Sequence, residues 1–241
     1  MIKLRREILF SDQSANLLIF GPAGAGTSSL VNSLFSALSN RIHTISASVP
    51  GVPGSTQHVF LRWLTPSVLL CEAWGWTKEN FTRDEFLEVI LQGRIASGTS
   101  RYAKFSKGEV LLPKEEHAID VALVIINVKE MNPERTKQVL QQIRDQDVRV
   151  LIGVTHLDLE EPSFRSNPLK SFPAVEAALD RVAAELAVER RHVWPVLPYT
   201  AEATCTEHID LLNLRFLKRA IERTADVRAE RRNNYDGTTF T

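Results

Sequence analysis

The sequence predicts an α/β protein with a doubly wound, mostly parallel sheet of six strands. Two observations support this fold class. Short apolar runs alternate with amphipathic helical patterns along the chain, which is typical of repeated βαβ units. Two of these runs, within residues 121–128 and 148–154, are hydrophobic at nearly every position, which indicates strands covered on both faces.

The strands and helices follow from hydrophobic periodicity, taken in chain order. The predicted strands cover residues 17–20, 58–64, 68–71, 121–128, 148–154 and 193–197. The predicted helices cover residues 28–38, 83–95, 133–145, 173–188 and 209–225. Two of them begin with proline, at Pro133 and Pro173. Proline lacks an amide proton, but in the first turn of a helix that proton would make no intrahelical hydrogen bond.

Three further segments complete the expected organisation. Residues 48–56 are too rich in proline and glycine for a long regular element, and residues 97–116 form a polar surface excursion. We expect an N-terminal extension at residues 1–13, a nucleotide-binding-type domain at residues 14–227 and a flexible tail at residues 228–241.

The composition bounds the classes of function. The 241 residues are 44% hydrophobic, which suffices for one large domain, and 29 basic residues balance 29 acidic ones. This neutral charge gives no argument for a nucleic acid partner. The two cysteines make no disulfide framework, and we expect Cys71 to be a buried thiol. No apolar run approaches the ~20 residues of a membrane span, so the sequence favours a cytoplasmic protein.

A glycine-rich loop between the first strand and the first helix is the most informative motif. Residues 21–28, Gly-Pro-Ala-Gly-Ala-Gly-Thr-Ser, match the phosphate-binding P-loop G-x-x-x-x-G-K-[ST], with threonine in place of lysine. Backbone amides and the helix dipole of such a loop bind phosphate. The expected phosphate contacts are Gly21, Pro22, Ala23, Gly24, Ala25, Gly26, Thr27, Ser28 and Ser29. The alternative is a tight turn that binds nothing.

Thr27 weakens the predicted site, since a neutral hydroxyl replaces an ammonium. A charge-assisted hydrogen bond is about twice as strong as a neutral one, so we expect a loss of roughly two decades of affinity. The transition state of phosphoryl transfer should lose more, because charge shifts on the phosphates there.

Two later segments fit a guanine nucleotide site. Residues 72–75, Glu-Ala-Trp-Gly, stand where GTPases carry D-x-x-G, so Glu72 is expected in the Mg²⁺ shell and Gly75 beside the γ-phosphate. Residues 155–158, Thr-His-Leu-Asp, stand where GTPases carry [N/T]-K-x-D. Asp158 would accept two hydrogen bonds from guanine, His156 would stack on the base, and Thr155, which matches the first position of the motif, is also expected to bind the nucleotide.

Weaker candidates complete the predicted site. The Mg²⁺ ion is expected on Ser28, Glu72 and Thr56, with Ser55 and Thr44 as rivals for the last position. Residues 198–202, Pro-Tyr-Thr-Ala-Glu, follow the last strand, where a short loop contacts the base through backbone amides. Each of these segments could instead be an ordinary polar loop.

Together these motifs resemble the interferon-induced protein 44-like branch of the P-loop GTPases, with a Ras-like G domain. The similar segments are residues 21–33, 71–76, 155–158, 198–199 and 209–215, and the likeness spans most of residues 14–225. The chain departs from that family at both diagnostic lysines and at the Mg²⁺ aspartate.

The resemblance implies a protein that binds GTP or GDP weakly with Mg²⁺, and hydrolyses GTP slowly or not at all. One alternative is a pseudo-GTPase scaffold that binds no nucleotide and uses an exposed Trp74/Trp76 pair and the long segment at residues 97–116 to contact a protein partner or a second copy. A further alternative is an active GTPase in which Lys78 or a partner's arginine replaces the missing lysine.

Overall fold

A computed structural model describes residues 1–46, 58–76, 84–100 and 115–236 of the chain. Its strands are β1 Ala15–Phe20, β2 Phe60–Thr65, β3 Val68–Glu72, β4 Val121–Asn127, β5 Arg149–Thr155 and β6 Val193–Pro195. They form one six-stranded sheet in the order β2-β3-β1-β4-β5-β6. The β2–β3 pair is antiparallel, and the four other neighbouring pairs are parallel. The predicted fold class is confirmed.

Seven α-helices flank the sheet within the described residues. They are α1 Ile2–Leu9, α2 Thr27–Ser39, α3 Asp84–Leu91, α4 Pro133–Arg144, α5 Ser163–Ser166, α6 Phe172–Glu185 and α7 Glu207–Asp236. Asn132 caps α4 through a hydrogen bond from the amide of Arg135, and Pro133 follows at the first helical position, as its sequence predicts.

The helices cover the sheet from both sides. Alternate residues of β1 separate into two cores: Leu17 and Ile19 pack with α1, α2 and α7, whereas Leu18 and Phe20 pack with α3, α4 and α6. All seven residues of β4 are buried, as are the last six of β5. These strands therefore form the centre of a three-layer structure, which their uninterrupted hydrophobic runs predicted.

The strand order determines where a ligand can bind. The chain leaves β1 through α2 on one face of the sheet and leaves β4 through α4 on the other face. Strands β1 and β4 are neighbours, so a crevice opens beyond their carboxyl ends. The glycine loop, Glu72 and Thr155 all follow the carboxyl ends of parallel strands and meet at this edge.

Several boundaries differ from the prediction. Helix α1 lies within the predicted N-terminal extension and packs on α7 and α2 through buried Ile8. Strand β2 begins at Phe60, because His58 instead forms an isolated bridge with Ser100. Strand β6 ends at Pro195, since the chain turns there toward the loop at residues 198–202.

The last helix is longer than predicted. Helix α7 continues past residue 225 to Asp236, so residues 228–236 of the predicted flexible tail are helical. Arg228 and Arg231 on this extension bind the carboxylate of Asp120, which is only 2% exposed. A buried carboxylate at the start of β4 thus anchors the end of α7, and a local hydrophobic pattern carries no sign of that contact.

Candidate functional site

The glycine loop adopts a conformation that exposes backbone amides. Gly24 and Gly26 have positive φ angles of 87° and 85°, in the left-handed region that favours glycine. A side chain on Gly21 would overlap the carbonyl oxygen of Ile125 in β4. Helix α2 begins directly after Gly26, whose carbonyl accepts the first helical hydrogen bond from Leu30 at 2.9 Å. The loop and the helix start thus have the backbone geometry of an anion-binding nest.

The residue in place of the P-loop lysine points its hydroxyl inward. Oγ1 of Thr27 is buried and has no hydrogen-bond partner among the described residues. It would lie 3.3 Å from a Cβ on Gly21, beneath the loop. A buried hydroxyl without a partner is unfavourable, so this atom is suited to a hydrogen bond with a ligand or water.

The segment after β3 lies against the glycine loop. The amide of Ala23 donates to the carbonyl of Trp76 at 3.1 Å, and the amide of Trp76 donates to the carbonyl of Gly21, also at 3.1 Å. A Cβ on Gly75 would stand 2.8 Å from both the nitrogen and the Cα of Ala23. Only glycine permits this approach, and it closes the side of the loop where the sequence predicted the γ-phosphate.

The tryptophans of this segment are not the exposed pair that the scaffold alternative assumed. Trp76 is 9% exposed and packs edge-on against Phe20, with 5.2 Å between the ring centroids. Trp74 is half-buried and packs against Phe86 at 4.1 Å. That expectation was wrong, because both rings extend the core between the sheet and α3 and so cannot serve as free anchors for a partner.

Glu72, at the end of β3, is fully buried beneath the loop. Its Oε1 accepts hydrogen bonds from the hydroxyls of Ser28, at 2.9 Å, and Ser46. Its Oε2 lies 3.7 Å from Nε of Arg62 without a hydrogen bond. Arg62 is held in turn by the ring of Phe60, 4.5 Å below its guanidinium. The carboxylate is therefore partnered by two hydroxyls and one nearby positive charge.

The contact between Ser28 and Glu72 suits Ser28 as a protein ligand for Mg²⁺. The hydroxyl of Ser28 gives its proton to Glu72, and a hydroxyl oxygen held in this way can act as a ligand to a cation at the helix start. Glu72 itself is buried and already accepts hydrogen bonds from Ser28 and Ser46. It is therefore suited to orient the Ser28 hydroxyl rather than to bind the ion directly. The described ranges contain no group of three or more His, Cys, Asp or Glu side chains that could hold a metal alone, so phosphate oxygens and water would have to complete the coordination.

Thr155, at the end of β5, ties the predicted base motif to the glycine loop. Its Oγ1 lies 2.8 Å from the carbonyl oxygen of Ala25 and 3.0 Å from that of Ile126. Nδ1 of His156 lies 2.9 Å from the same hydroxyl. Because the hydroxyl proton goes to a carbonyl, Nδ1 donates to Thr155. The position of the motif relative to the loop is thus fixed by side-chain hydrogen bonds.

His156 sits at the turn between the phosphate and base regions. It has a positive φ of 61°, and its Cε1 would lie 3.8 Å from a Cβ on Gly26. Burial lowers the pKa of His156, against the opposing effect of the carboxylates of Asp158 and Glu130. The imidazole is therefore neutral near pH 7 and stands beside the loop without contributing a positive charge.

Asp158 already has a partner. Nη1 of Arg165, from α5, lies 3.0 Å from Oδ2 of Asp158. Nη2 of the same guanidinium lies 2.7 Å from Oγ1 of Thr200 and 2.5 Å from Oε1 of Glu202. Arg165 therefore joins the predicted base-reading carboxylate to the loop after β6.

The loop at residues 198–202 and the residues just before it are anchored by buried hydrogen bonds to α2 and α7. The amide of Tyr199 donates to Oγ of Ser33 in α2 at 2.7 Å, and the phenol of Tyr199 donates to Asp210 at 2.7 Å. Asn213 in α7 bonds both the amide and the carbonyl of Leu197. These buried contacts fix the position of residues 198–202 beside Asp158.

Sequence reasoning missed Ser46, Arg62 and Arg165 as site residues. None of these three belongs to a local motif; each is brought in by tertiary contact with a residue that does. Glu202 was predicted only as part of the loop at residues 198–202, without a role for its side chain. Thr44 is exposed. Thr56, Ser55 and Lys78, like most of residues 97–116, lie outside the described residues, so their predicted roles remain predictions.

Comparison with known proteins supports the fold. No protein-family model and no curated protein gives a match to this sequence. Among solved structures, a probable GTP-binding protein EngB is 15% identical with a TM-score of 0.50, over 89% of this chain and all of that one. A single-residue variant of Era from Aquifex aeolicus, bound to GDP and AlF4⁻, is 15% identical with a TM-score of 0.47, over 86% of this chain and 56% of that one.

These similarities concern the fold. Membership of the interferon-induced protein 44-like branch stays a prediction. Within the ranges that the structure describes, none of the helices has the length and apolar character to traverse a bilayer. The chain has a mostly parallel α/β fold similar to that of the probable GTP-binding protein EngB.

Proposed function

We propose that this chain binds a guanine nucleotide weakly at the glycine loop, prefers the diphosphate, and hydrolyses GTP slowly or not at all. The observation that carries the proposal is the nest itself. Gly24 and Gly26 hold positive φ angles directly before α2, at the crevice where ligands bind in open α/β sheets. The amides of residues 27–29 lie in the first turn of that helix, where backbone N–H groups point out of the helix N-terminus.

The loop favours two phosphates over three. The amide of Ala23 is already engaged by the carbonyl of Trp76, and Gly75 stands in contact with the loop backbone. A third phosphate would need both contacts to open, whereas a diphosphate can use the amides of Gly24, Gly26 and the start of α2, since the amide of Ala25 donates to the carbonyl of Pro22. When bound, Mg²⁺ would neutralise phosphate oxygens. Ser28 would be its protein ligand, and Glu72 would accept the hydrogen bond of the Ser28 hydroxyl.

The base would bind beside His156 and Asp158. The imidazole stands next to Gly26, between the loop and the turn that carries Asp158. A carboxylate accepts two hydrogen bonds, a pattern that suits the N1–H and N2–H₂ donors of guanine. Arg165 now holds one of its oxygens, so base binding competes with an internal ion pair.

The missing lysine explains weak binding and slow hydrolysis. Thr27 can add one neutral hydrogen bond through its buried hydroxyl, where a lysine would add a full positive charge. Because negative charge moves between phosphate oxygens during transfer, the transition state loses more than the bound nucleotide does. The aromatic Trp76 follows Gly75, and its indole has no acceptor that could orient an attacking water.

Isothermal titration of the purified chain with GDP and with GTP-γ-S, in the presence of Mg²⁺, tests this proposal. We expect saturable heat with GDP at a dissociation constant of about 10 μM to 1 mM, and weaker heat with GTP-γ-S. ADP is the control for base recognition. Absence of heat with GDP up to about 1 mM would remove the nucleotide from the account.

One observation favours the second candidate, a pseudo-GTPase scaffold without nucleotide. Three groups that would contact a nucleotide are satisfied internally: the Ala23 amide by Trp76, Asp158 by Arg165, and the amides of Thr200 and Ala201 by Glu202. For such a protein, the melting temperature would not change with GDP, GTP-γ-S or Mg²⁺. A nucleotide-dependent rise would exclude it, since a ligand that binds only the folded state must stabilise it.

A further inference from the structure

Arg165 connects the two halves of the predicted base subsite. One half is the carboxylate of Asp158, 3.0 Å from Nη1 of Arg165. The other half is the loop at residues 198–202, where Nη2 contacts the carbonyl of Pro198 at 3.3 Å and Oγ1 of Thr200 at 2.7 Å. The side chain comes from the one-turn helix α5, which packs against the turn that carries Asp158.

Glu202 completes the connection. Its Oε1 binds Nη2 of Arg165 at 2.5 Å. Its Oε2 accepts hydrogen bonds from the amides of Thr200, at 2.7 Å, and Ala201, at 3.1 Å. These two amides belong to the loop that was expected to contact the base through its backbone.

The pair presents the hydrogen-bonding pattern of a guanine edge. Guanine offers two N–H donors, which a carboxylate accepts, next to the O6 acceptor, which backbone amides can bind. Here the Arg165 guanidinium supplies one donor, Nη1, to Asp158, and the Glu202 carboxylate supplies the acceptor to the amides of Thr200 and Ala201. A guanine base bound in this subsite would therefore compete with the Arg165–Glu202 pair for Asp158 and the loop amides.

We propose that Arg165 and Glu202 act as an internal occupant of the base subsite, and that they set its affinity and selectivity for guanine. The inference rests on the proposed function, since it concerns the base end of the same site. While the pair is in place, Asp158 has one oxygen engaged and discriminates poorly between bases. When Arg165 leaves, Asp158 accepts both guanine donors and the loop amides become free for O6.

The hydrogen bonds of the Arg165–Glu202 pair are strong enough to form in the free protein, yet a bound base can displace them. All are charge-assisted, and burial of Glu202 is outweighed by its amide donors and Arg165, which lower the pKa of Glu202 and keep it ionised at neutral pH. The side chains of Arg165, Glu202 and Asp158 are 29%, 22% and 16% exposed, so water reaches the network. Partly solvated ion pairs contribute little net stability, and a ligand can replace them.

The test compares the binding of GDP and IDP, because the inosine base lacks the N2 amine that Asp158 would read. We expect Arg165→Ala to bind GDP about tenfold more tightly than the wild-type chain, and to prefer GDP over IDP by a further factor of about ten. Glu202→Gln puts a weaker, neutral acceptor on the amides of Thr200 and Ala201 but leaves Arg165 beside Asp158, so it should tighten the binding of GDP and IDP alike and leave their ratio near the wild-type value. Titration calorimetry gives both dissociation constants for each protein.

Two controls make the result specific. Arg181→Ala removes an arginine whose ion pair with Glu160 lies outside this network, and should leave GDP binding unchanged. Arg165→Ala in an Asp158→Ala background should give no gain in the preference for GDP over IDP, because the carboxylate that accepts from the N2 amine is then absent. A melting curve for each variant confirms that it is folded.

The outcomes separate this inference from the proposed function. Tighter, more selective GDP binding by Arg165→Ala supports the inference, also if the wild-type chain shows no measurable binding. Equal or weaker GDP binding by Arg165→Ala, with an unchanged GDP-to-IDP ratio, overturns it while wild-type binding of GDP upholds the function. If neither the wild-type chain nor any variant binds GDP, both are overturned.

Discussion

The amide of Ala23 donates a hydrogen bond to the carbonyl of Trp76 at 3.1 Å, and this contact closes one side of the glycine loop. A parallel bridge between Pro22 and Trp76 continues the sheet-like pairing there. The loop keeps the amides of its second half at the start of α2, but its first half is joined to the segment after β3. A third phosphate can therefore enter only if two backbone hydrogen bonds break.

We expect the wild-type chain to bind GDP about tenfold more tightly than GTP-γ-S. Each broken backbone hydrogen bond costs about 1 kcal/mol net, and the γ-phosphate recovers only part of that cost. Competition titration with a fluorescent GDP analogue measures the ratio. Equal affinities for the two nucleotides would mean that the Ala23–Trp76 contact does not oppose the third phosphate.

Thr27→Lys should raise GDP affinity by about tenfold to a hundredfold, because an ammonium replaces an unpartnered buried hydroxyl next to the phosphates. Thr27→Met is the matched control, since it adds a side chain of similar length without charge and should give no gain. Calorimetry with GDP provides the comparison. If lysine and methionine behave alike, the loop is not a phosphate site.

Arg62→Met should lower the free energy of unfolding by about 2–3 kcal/mol, because it leaves the buried carboxylate of Glu72 without its nearest positive charge. The estimate is at the lower end for buried pairs, since Arg62 is partly exposed and makes no hydrogen bond to Glu72. Urea unfolding of Arg62→Met, Glu72→Gln and the double variant gives the coupling. Strictly additive losses would show that the two charges are not coupled.

Asp120→Asn should destabilise the chain by about 2 kcal/mol and expose the amides of residues 228–236 to hydrogen exchange, because both arginines lose their buried partner. Arg149→Ala is the control: Arg149 lies in β5 and pairs with Glu230 of the same helix, α7, and both side chains are more than half exposed. That change should cost less than about 1 kcal/mol. Equal effects of the two substitutions would contradict an anchoring role for Asp120.

Acidification should destabilise the fold partly through His156. Its pKa in the folded chain is lowered from the ordinary 6.5, so the folded state resists protonation and the unfolded state takes up the proton first. The stabilising contribution of the neutral imidazole is present above pH ~6.5 and is lost as the pH falls toward the folded pKa. His156→Gln should flatten the fall in unfolding free energy between about pH 7.5 and about pH 5.5.

His192 provides the comparison for that measurement. Burial and the nearby Arg223 lower its pKa too, so His192→Gln should remove a separate part of the same slope. An unchanged slope in His156→Gln, with a flatter one in His192→Gln, would assign the effect to His192 alone.

The sequence predicted the fold well because its signals are local. The apolar run of β1, the uninterrupted apolar run of β4 and the capped start of α4 each follow from neighbours in the chain. It predicted the glycine loop for the same reason, since left-handed glycines before a helix form a short-range motif.

The partners of the site residues could not be predicted in this way. Arg165 meets Glu202 across 37 positions of the chain, and Ser28 meets Glu72 across 44. Such contacts depend on how α5 and the strands are packed, which no local pattern encodes. The same reason applies to Arg228, whose predicted place in a flexible tail gave no sign of its buried partner Asp120.

The most direct test of the central claim is an amide spectrum of ¹⁵N-labelled chain titrated with GDP and, separately, with pyrophosphate. If backbone amides hold a diphosphate, the resonances of Gly24, Gly26 and residues 27–29 shift with both ligands and saturate at concentrations up to about 1 mM. Residues near Asp158 should shift with GDP only. Loop resonances that do not move with either ligand would contradict the account.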